Sequence, residues 1–334
     1  MELVRLSDGA RLATWRTDAA VAADAAVAAD AAVAADAAVA ADAAVAADAA
    51  GAADAAGAAD AADAADAADA ADAVGVPWDP VVLLHGGPGL WDYLEPLGDL
   101  IGVGRTVYRY DQRDCGRSLP ADGPERAGQS MARSVQDLEE LRAHWGADRL
   151  ALVGHSFGAT LALAYAGTHP GRAAVVAYVS GVGIGDWRTP NRTALARLQA
   201  PYAARLDELS AKDRTWDEEV EWRRLTWASD YADPAAGFDL ARPMAETRLP
   251  ISWAANSALR FSDDDVLPWA RAVTCPVALV HGAADPRPAA NVVALAAHLP
   301  RARVRIIAGA GHLPWVERPA ETGAALREVL RPSA

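Results

Sequence analysis

The stretch Leu150–Gly167, LALVGHSFGATLALAYAG, decides the fold. Its first four residues form an uninterrupted apolar run, which suits a strand covered on both faces. Its last nine, Ala159–Gly167, read as an apolar helix. Between them stands Gly154-His155-Ser156-Phe157-Gly158, which fits G-x-S-x-G, the pattern of a nucleophile elbow. Small flanking residues permit a tight strand-to-helix turn that pushes the serine side chain clear of the backbone. The N-terminus of the following helix then favours the negative charge that develops during acyl transfer.

Outward from the elbow, strands and helices alternate. Apolar, β-branched runs at 81–84, 106–110, 174–179, 277–280 and 304–307 predict further strands. Helical patterns cover 134–145, 289–298 and 320–330, and residues 2–6 and 11–16 flank Asp8-Gly9 as a hairpin. This alternation predicts an α/β fold with a mostly parallel central sheet flanked by helices. Residues 188–265, rich in charge and tryptophan and without a convincing strand, predict a helical cap inserted into that core. The domain reading is therefore an N-terminal hairpin at 1–17, an insertion at 18–74, core at 75–187, cap at 188–265 and core again at 266–334.

The insertion at 18–74 is a repeat of DAAVAA, then DAAGAA, then DAA. A six-residue period spreads its aspartates over three helix faces, so no apolar stripe forms, and alanine cannot build the shared core of a stacked solenoid. A flexible, expanded surface loop is expected. The tract also explains the charge. The chain carries a formal −14, and residues 18–73 contain twelve aspartates and no basic residue, which leaves −14 + 12 = −2 for everything else. A nearly neutral body offers nothing electrostatic to nucleic acid or an anionic membrane, so neither is an expected partner. Two cysteines, Cys115 and Cys275, are too few for a disulfide framework or zinc site. The start shows no basic region followed by an apolar stretch, and no run approaches a membrane span, so a cytoplasmic protein is expected.

A serine hydroxyl is a weak nucleophile until a base takes its proton. In this architecture the chain order is serine, acid, histidine. Asp285 follows the apolar strand VALVHG, and His312 sits in Ala310-Gly311-His312-Leu313-Pro314 just after VRIIAGA. Both fall beyond strand C-termini, where ligands and catalytic groups gather in open α/β sheets. Asp186 is the runner-up for the acid. For the oxyanion, the Phe157 N–H directly after the nucleophile is one donor. The glycine-rich His85-Gly86-Gly87-Pro88-Gly89, after the strand at 81–84, is the source of the second.

Together these pieces resemble the prolyl iminopeptidase-like branch of the α/β-hydrolase superfamily. The matching strings are HGGPG at 85–89, DQRDCGRS at 111–118, DLEELR at 137–142, GHSFGATLAL at 154–163, HGAADPRP at 281–288 and AGHLPWVERP at 310–319. The resemblance implies the α/β-hydrolase fold with its cap and makes Gly87, with Gly86 close by, the second oxyanion donor. DQRDCGRS departs at Asp114, where the family usually has glycine. Relatives of this branch bind a substrate's free α-amine through acidic cap residues, often within a Trp- and Glu-containing helix. Here that implies Glu218, Glu219 and Glu221 as amine ligands and Trp222 and Trp227 as pocket walls.

The expected activity is hydrolysis through an acyl-enzyme on Ser156, with His312 as base and Asp285 orienting it, and without metal or organic cofactor. The substrate is either a short peptide with N-terminal proline or a similar residue, or a small-molecule ester, lactone or amide. A non-catalytic binding protein on the same scaffold is the other class. Epoxide or haloalkane hydrolysis would want an aspartate where Ser156 stands. Oligomeric state is left open.

Overall fold

The computed structural model describes residues 1–18, 79–101, 104–120 and 128–331, so the expectation for the Ala/Asp tract lies outside the described residues. Eight strands form one sheet: β1 (Glu2–Arg5), β2 (Arg11–Thr17), β3 (Val81–Leu84), β4 (Val107–Tyr110), β5 (Leu150–His155), β6 (Ala173–Val179), β7 (Val277–Gly282) and β8 (Ala302–Ile307). Their order is β1-β2-β4-β3-β5-β6-β7-β8. The hairpin strand β2 runs antiparallel to β1 and β4, and every pairing from β4 to β8 is parallel.

Side-chain alternation along the strands builds two cores. Leu150 and Leu152 of β5 join Val82, Leu84, Val176, Tyr178 and Leu279 on one face. Ala151 and Val153 join Val81, Leu83, Ala177 and Val280 on the other. The first face is covered by α2 (Met131–His144), α3 (Phe157–Thr168), α10 (Asp263–Ala272) and α11 (Ala289–Ala296). The second is covered by α1 (Glu95–Ile101), α12 (Pro314–Glu317) and α13 (Pro319–Leu330). A strand covered on both faces has no polar side to display, which is why these runs are continuously apolar.

Between β6 and α10 lie α4 (Arg188–Gln199), α5 (Ala203–Ser210), α6 (Trp216–Trp227), α7 (Pro234–Leu240), α8 (Arg242–Ala245) and α9 (Trp253–Ala258). This stretch contains no strand among the described residues. Nor is any helix among the described residues long and apolar enough to cross a membrane.

Two of the strings singled out above meet in space. Arg113 of DQRDCGRS forks onto Asp137 of DLEELR (Nε–Oδ2 2.8 Å, Nη2–Oδ1 2.6 Å). It also pairs with Asp8 in the N-terminal turn at 2.8 Å. The departure at Asp114 falls on a residue with φ of 56°, a conformation glycine adopts without steric cost and aspartate tolerates better than most.

Candidate active site

The elbow is built by close approach. Gly158 opens onto β3, and a Cβ there would lie 2.0 Å from the Leu84 carbonyl oxygen. Ser156 pays for the sharp turn with φ 57° and ψ −118°, a region that L-residues avoid and that costs of the order of 1–3 kcal/mol. The result places a half-buried Ser156 side chain at the wall of a cavity of about 230 Å³. His312 and Gly87 line the same cavity, with Tyr93, Trp227 and Arg287.

His312 and Asp285, from loops after β8 and β7, meet at Nδ1–Oδ2 2.6 Å. A carboxylate only accepts, so Nδ1 carries the proton and Nε2 is left as a base. The other Asp285 oxygen accepts the Arg287 amide at 2.9 Å. Burial pushes the Asp285 carboxyl up, but His312, Arg287 and His281 outweigh it and hold it well below the usual carboxylate range. Asp186 lies elsewhere: it is exposed and its carboxylate accepts the Thr189 amide.

His312 is gripped through its own backbone. Its N–H donates to the Asp230 carbonyl at 2.6 Å, and its carbonyl accepts from His155 Nε2 at 2.9 Å. His155 Nδ1 must then be the acceptor in its 2.6 Å contact with the Tyr93 hydroxyl. The Tyr93 oxygen in turn accepts the Gly86 amide at 3.0 Å. One chain of hydrogen bonds thus joins the HGGPG loop, the elbow and the base loop. Burial drives the His155 pKa far down, consistent with a neutral ring that donates once and accepts once.

This chain corrects one expectation. The Gly86 amide is committed to Tyr93, so Gly86 is not placed as an oxyanion donor. Gly87, with φ of 52°, lines the cavity beside Ser156. Phe157 is the first residue of α3, and first-turn amides lack an intrahelical acceptor.

The glutamates of α6 are placed away from the site. None of Glu218, Glu219 and Glu221 lines the Ser156 cavity. Glu218 pairs with Lys212 at 2.7 Å and closes the helix cap on Thr215, Glu219 pairs with Arg214 and Arg223, and Glu221 takes the fork of Arg205. Charged residues on a surface helix find partners on the neighbouring turn or helix, and these did. Trp222 donates to Ser210 and packs edge-on against Trp253. Trp227 does reach the cavity, with its ring edge-on to Trp91 at 6.4 Å.

Residues that sequence reading passed over complete the site. Asp230 lines the cavity, pairs with Arg287 and supplies the carbonyl that holds His312. Glu317 bridges the amides of Ala232 (2.8 Å) and Gly311 (2.6 Å). Only Glu317 and Arg287 had a signal, since both lie within strings already quoted. Among the described residues, no group of three or more His, Cys, Asp or Glu side chains is arranged to hold a metal ion.

The alpha/beta hydrolase fold family matches residues 79–319, and the chain belongs to that family. The proline iminopeptidase of Saccharolobus solfataricus is 47% identical over 88 residues, 26% of this chain and 28% of that relative. The match therefore spans little more than a quarter of that relative's length. Two solved structures share the fold. The proline iminopeptidase of Mycobacterium smegmatis has a TM-score of 0.51 at 24% identity, covering 75% of this chain and 88% of its own. An esterase from Exiguobacterium antarcticum has a TM-score of 0.60 at 14% identity, covering 98% of both chains.

Proposed function

We propose that the protein is a serine hydrolase working through an acyl-enzyme, acting on small peptides to release an N-terminal proline or similar residue. The observation that carries the chemistry is the buried His312–Asp285 pair at 2.6 Å, with His312 on the wall of the cavity that Ser156 lines. Ser156 Oγ attacks the substrate carbonyl while its proton passes to His312 Nε2. The Phe157 and Gly87 amides receive the negative charge on the carbonyl oxygen. His312 returns the proton to the leaving amine, and water then repeats the sequence to release the acid. Asp285 stays ionised, fixing the Nδ1–H tautomer and stabilising the imidazolium.

For the peptide reading, the 88-residue likeness to proline iminopeptidases supplies the support. The ammonium of such a substrate needs a carboxylate, and Asp230 is the acidic residue among those lining the cavity. A second reading, hydrolysis of a small ester, lactone or amide, is favoured by the partner of that carboxylate. Asp230 already faces Arg287, which leaves an amine to compete with a guanidinium.

Turnover of prolyl-naphthylamide beside short p-nitrophenyl esters tests both. The expected result is cleavage of prolyl-naphthylamide that disappears when its amine is blocked and when Ser156 is replaced by alanine. Ester cleavage without prolyl-amide cleavage selects the second reading. Turnover that survives Ser156→Ala overturns the mechanism.

A further inference from the structure

A larger cavity, of about 620 Å³, lies beside the Ser156 cavity. The two share Tyr93, Tyr231, Met244 and Leu313 as lining residues, so these four side chains form a partition between them. The Ser156 cavity, at about 230 Å³, falls below the roughly 300–1,000 Å³ of ordinary small-molecule sites. A substrate much larger than a single small residue must therefore extend beyond it.

The chemistry of the second cavity is legible from its walls. Trp15, Trp91, Leu240 and Trp315 give it broad apolar surfaces. The charged side chains that line it are paired: Arg109 holds Asp92 at 2.6 Å and Glu95 at 3.0 Å, and Arg117 holds Asp111 behind the wall at 3.0 Å, while Met1 lines the rim. A charged ligand would compete with these pairs, whereas an uncharged chain or ring would displace water from tryptophan and leucine. Met244 is the adaptable member of the partition, unbranched and free to change rotamer.

Resting on the proposed reaction at Ser156, we infer that this cavity is a second subsite of the same active site. It takes an uncharged apolar chain or ring of a substrate whose carbonyl lies at Ser156, with Met244 as the specificity-determining residue between the two. That group is either the acyl part or the leaving group.

Two ester series separate those sources: p-nitrophenyl esters of acyl length two to ten, and acetates of n-alkyl alcohols over the same range. Each buried methylene should raise kcat/KM about three- to fourfold in whichever series reaches the chamber. Leu240, 40% exposed at the chamber wall, can be enlarged to tryptophan without disturbing the fold. Leu240→Trp should lower the long-to-short kcat/KM ratio in that series by about tenfold, and Met244→Ala should raise it. Octanamide binding to the Ser156→Ala protein, followed by calorimetry, reads the chamber without turnover and should weaken about tenfold on adding Leu240→Trp. If neither ester nor prolyl-naphthylamide is cleaved, the serine-hydrolase reading fails while the octanamide titration still decides the chamber. Length profiles and octanamide binding that Leu240→Trp leaves unmoved would overturn the inference.

Discussion

Arg113 in the core and Glu221 in the helical insertion make the same kind of bond, a two-pronged guanidinium–carboxylate fork. The Arg113–Asp137 fork is 2% exposed on both sides, whereas that of Glu221 and Arg205 is 35% and 37% exposed. Breaking the first takes one of two guanidinium partners, Arg113 beside Arg133, from a buried carboxylate; breaking the second returns both groups to solvent. Geometry is equal and consequence is not. The Arg113–Asp137 pair cannot be dissolved without leaving buried charge behind, while the Glu221–Arg205 pair can be rewritten at little cost. That is the arrangement expected of a scaffold that keeps its chemistry and varies its substrate.

The strongest blow to the core side of this contrast is Asp285→Asn. An amide there offers a donor where His312 Nδ1–H needs an acceptor, and kcat should fall by about 10⁴ with folding intact by circular dichroism. Arg113→Ala should cost about 3 kcal/mol in urea unfolding, because it leaves Asp137 and Asp8 to share Arg133 in a buried site. A loss under about 1 kcal/mol would erase the contrast.

Acid sharpens it next. Burial lowers the pKa of His85, His155 and His281 in the folded chain. The unfolded chain, titrating near 6.5, binds more protons than the folded one below that pH, so stability is whole above about 6.5 and is lost as pH falls. Each histidine contributes up to about 1.4 kcal/mol per pH unit in that window. Melting temperature should drop between about pH 7.5 and 5.5, and a flat profile would mean the rings are not held neutral.

Tyr93→Phe deletes one hydroxyl that serves Gly86 and His155 together. It should destabilise by about 1–2 kcal/mol and lower kcat more than it changes KM. Smallest of all should be Glu221→Gln, with melting and prolyl-amide turnover unchanged. A large loss of turnover in that variant would bring the α6 glutamates back to the site.

Strand positions and the elbow were legible because each rests on local signals: continuous apolar runs, small residues at a tight turn, and loops at strand ends. The position of Asp285 and His312 just past strand ends was legible for the same reason. The short helix α1, with a glycine and a proline among its seven residues, left no periodic trace. The insertion was legible as helical and opaque as a site. Asp230 sits in one turn of 3₁₀ helix after α6, and nothing in Ala228-Ser229-Asp230 marks it against the richer WDEEVEW a few residues earlier. Which carboxylate faces the cavity depends on how the helices pack, and charge content alone points to the wrong turn. Likewise nothing local separates Gly86 from Gly87, and the Tyr93 hydroxyl and the cavity lining tell them apart.

Ser156 holds a backbone conformation that glycine would occupy without strain. A population selected for heat resistance alone, with no demand for turnover, would find Ser156→Gly among its early gains. Persistence of serine at this position through such a regime would therefore be a record of continued use, written in the least comfortable dihedral of the elbow.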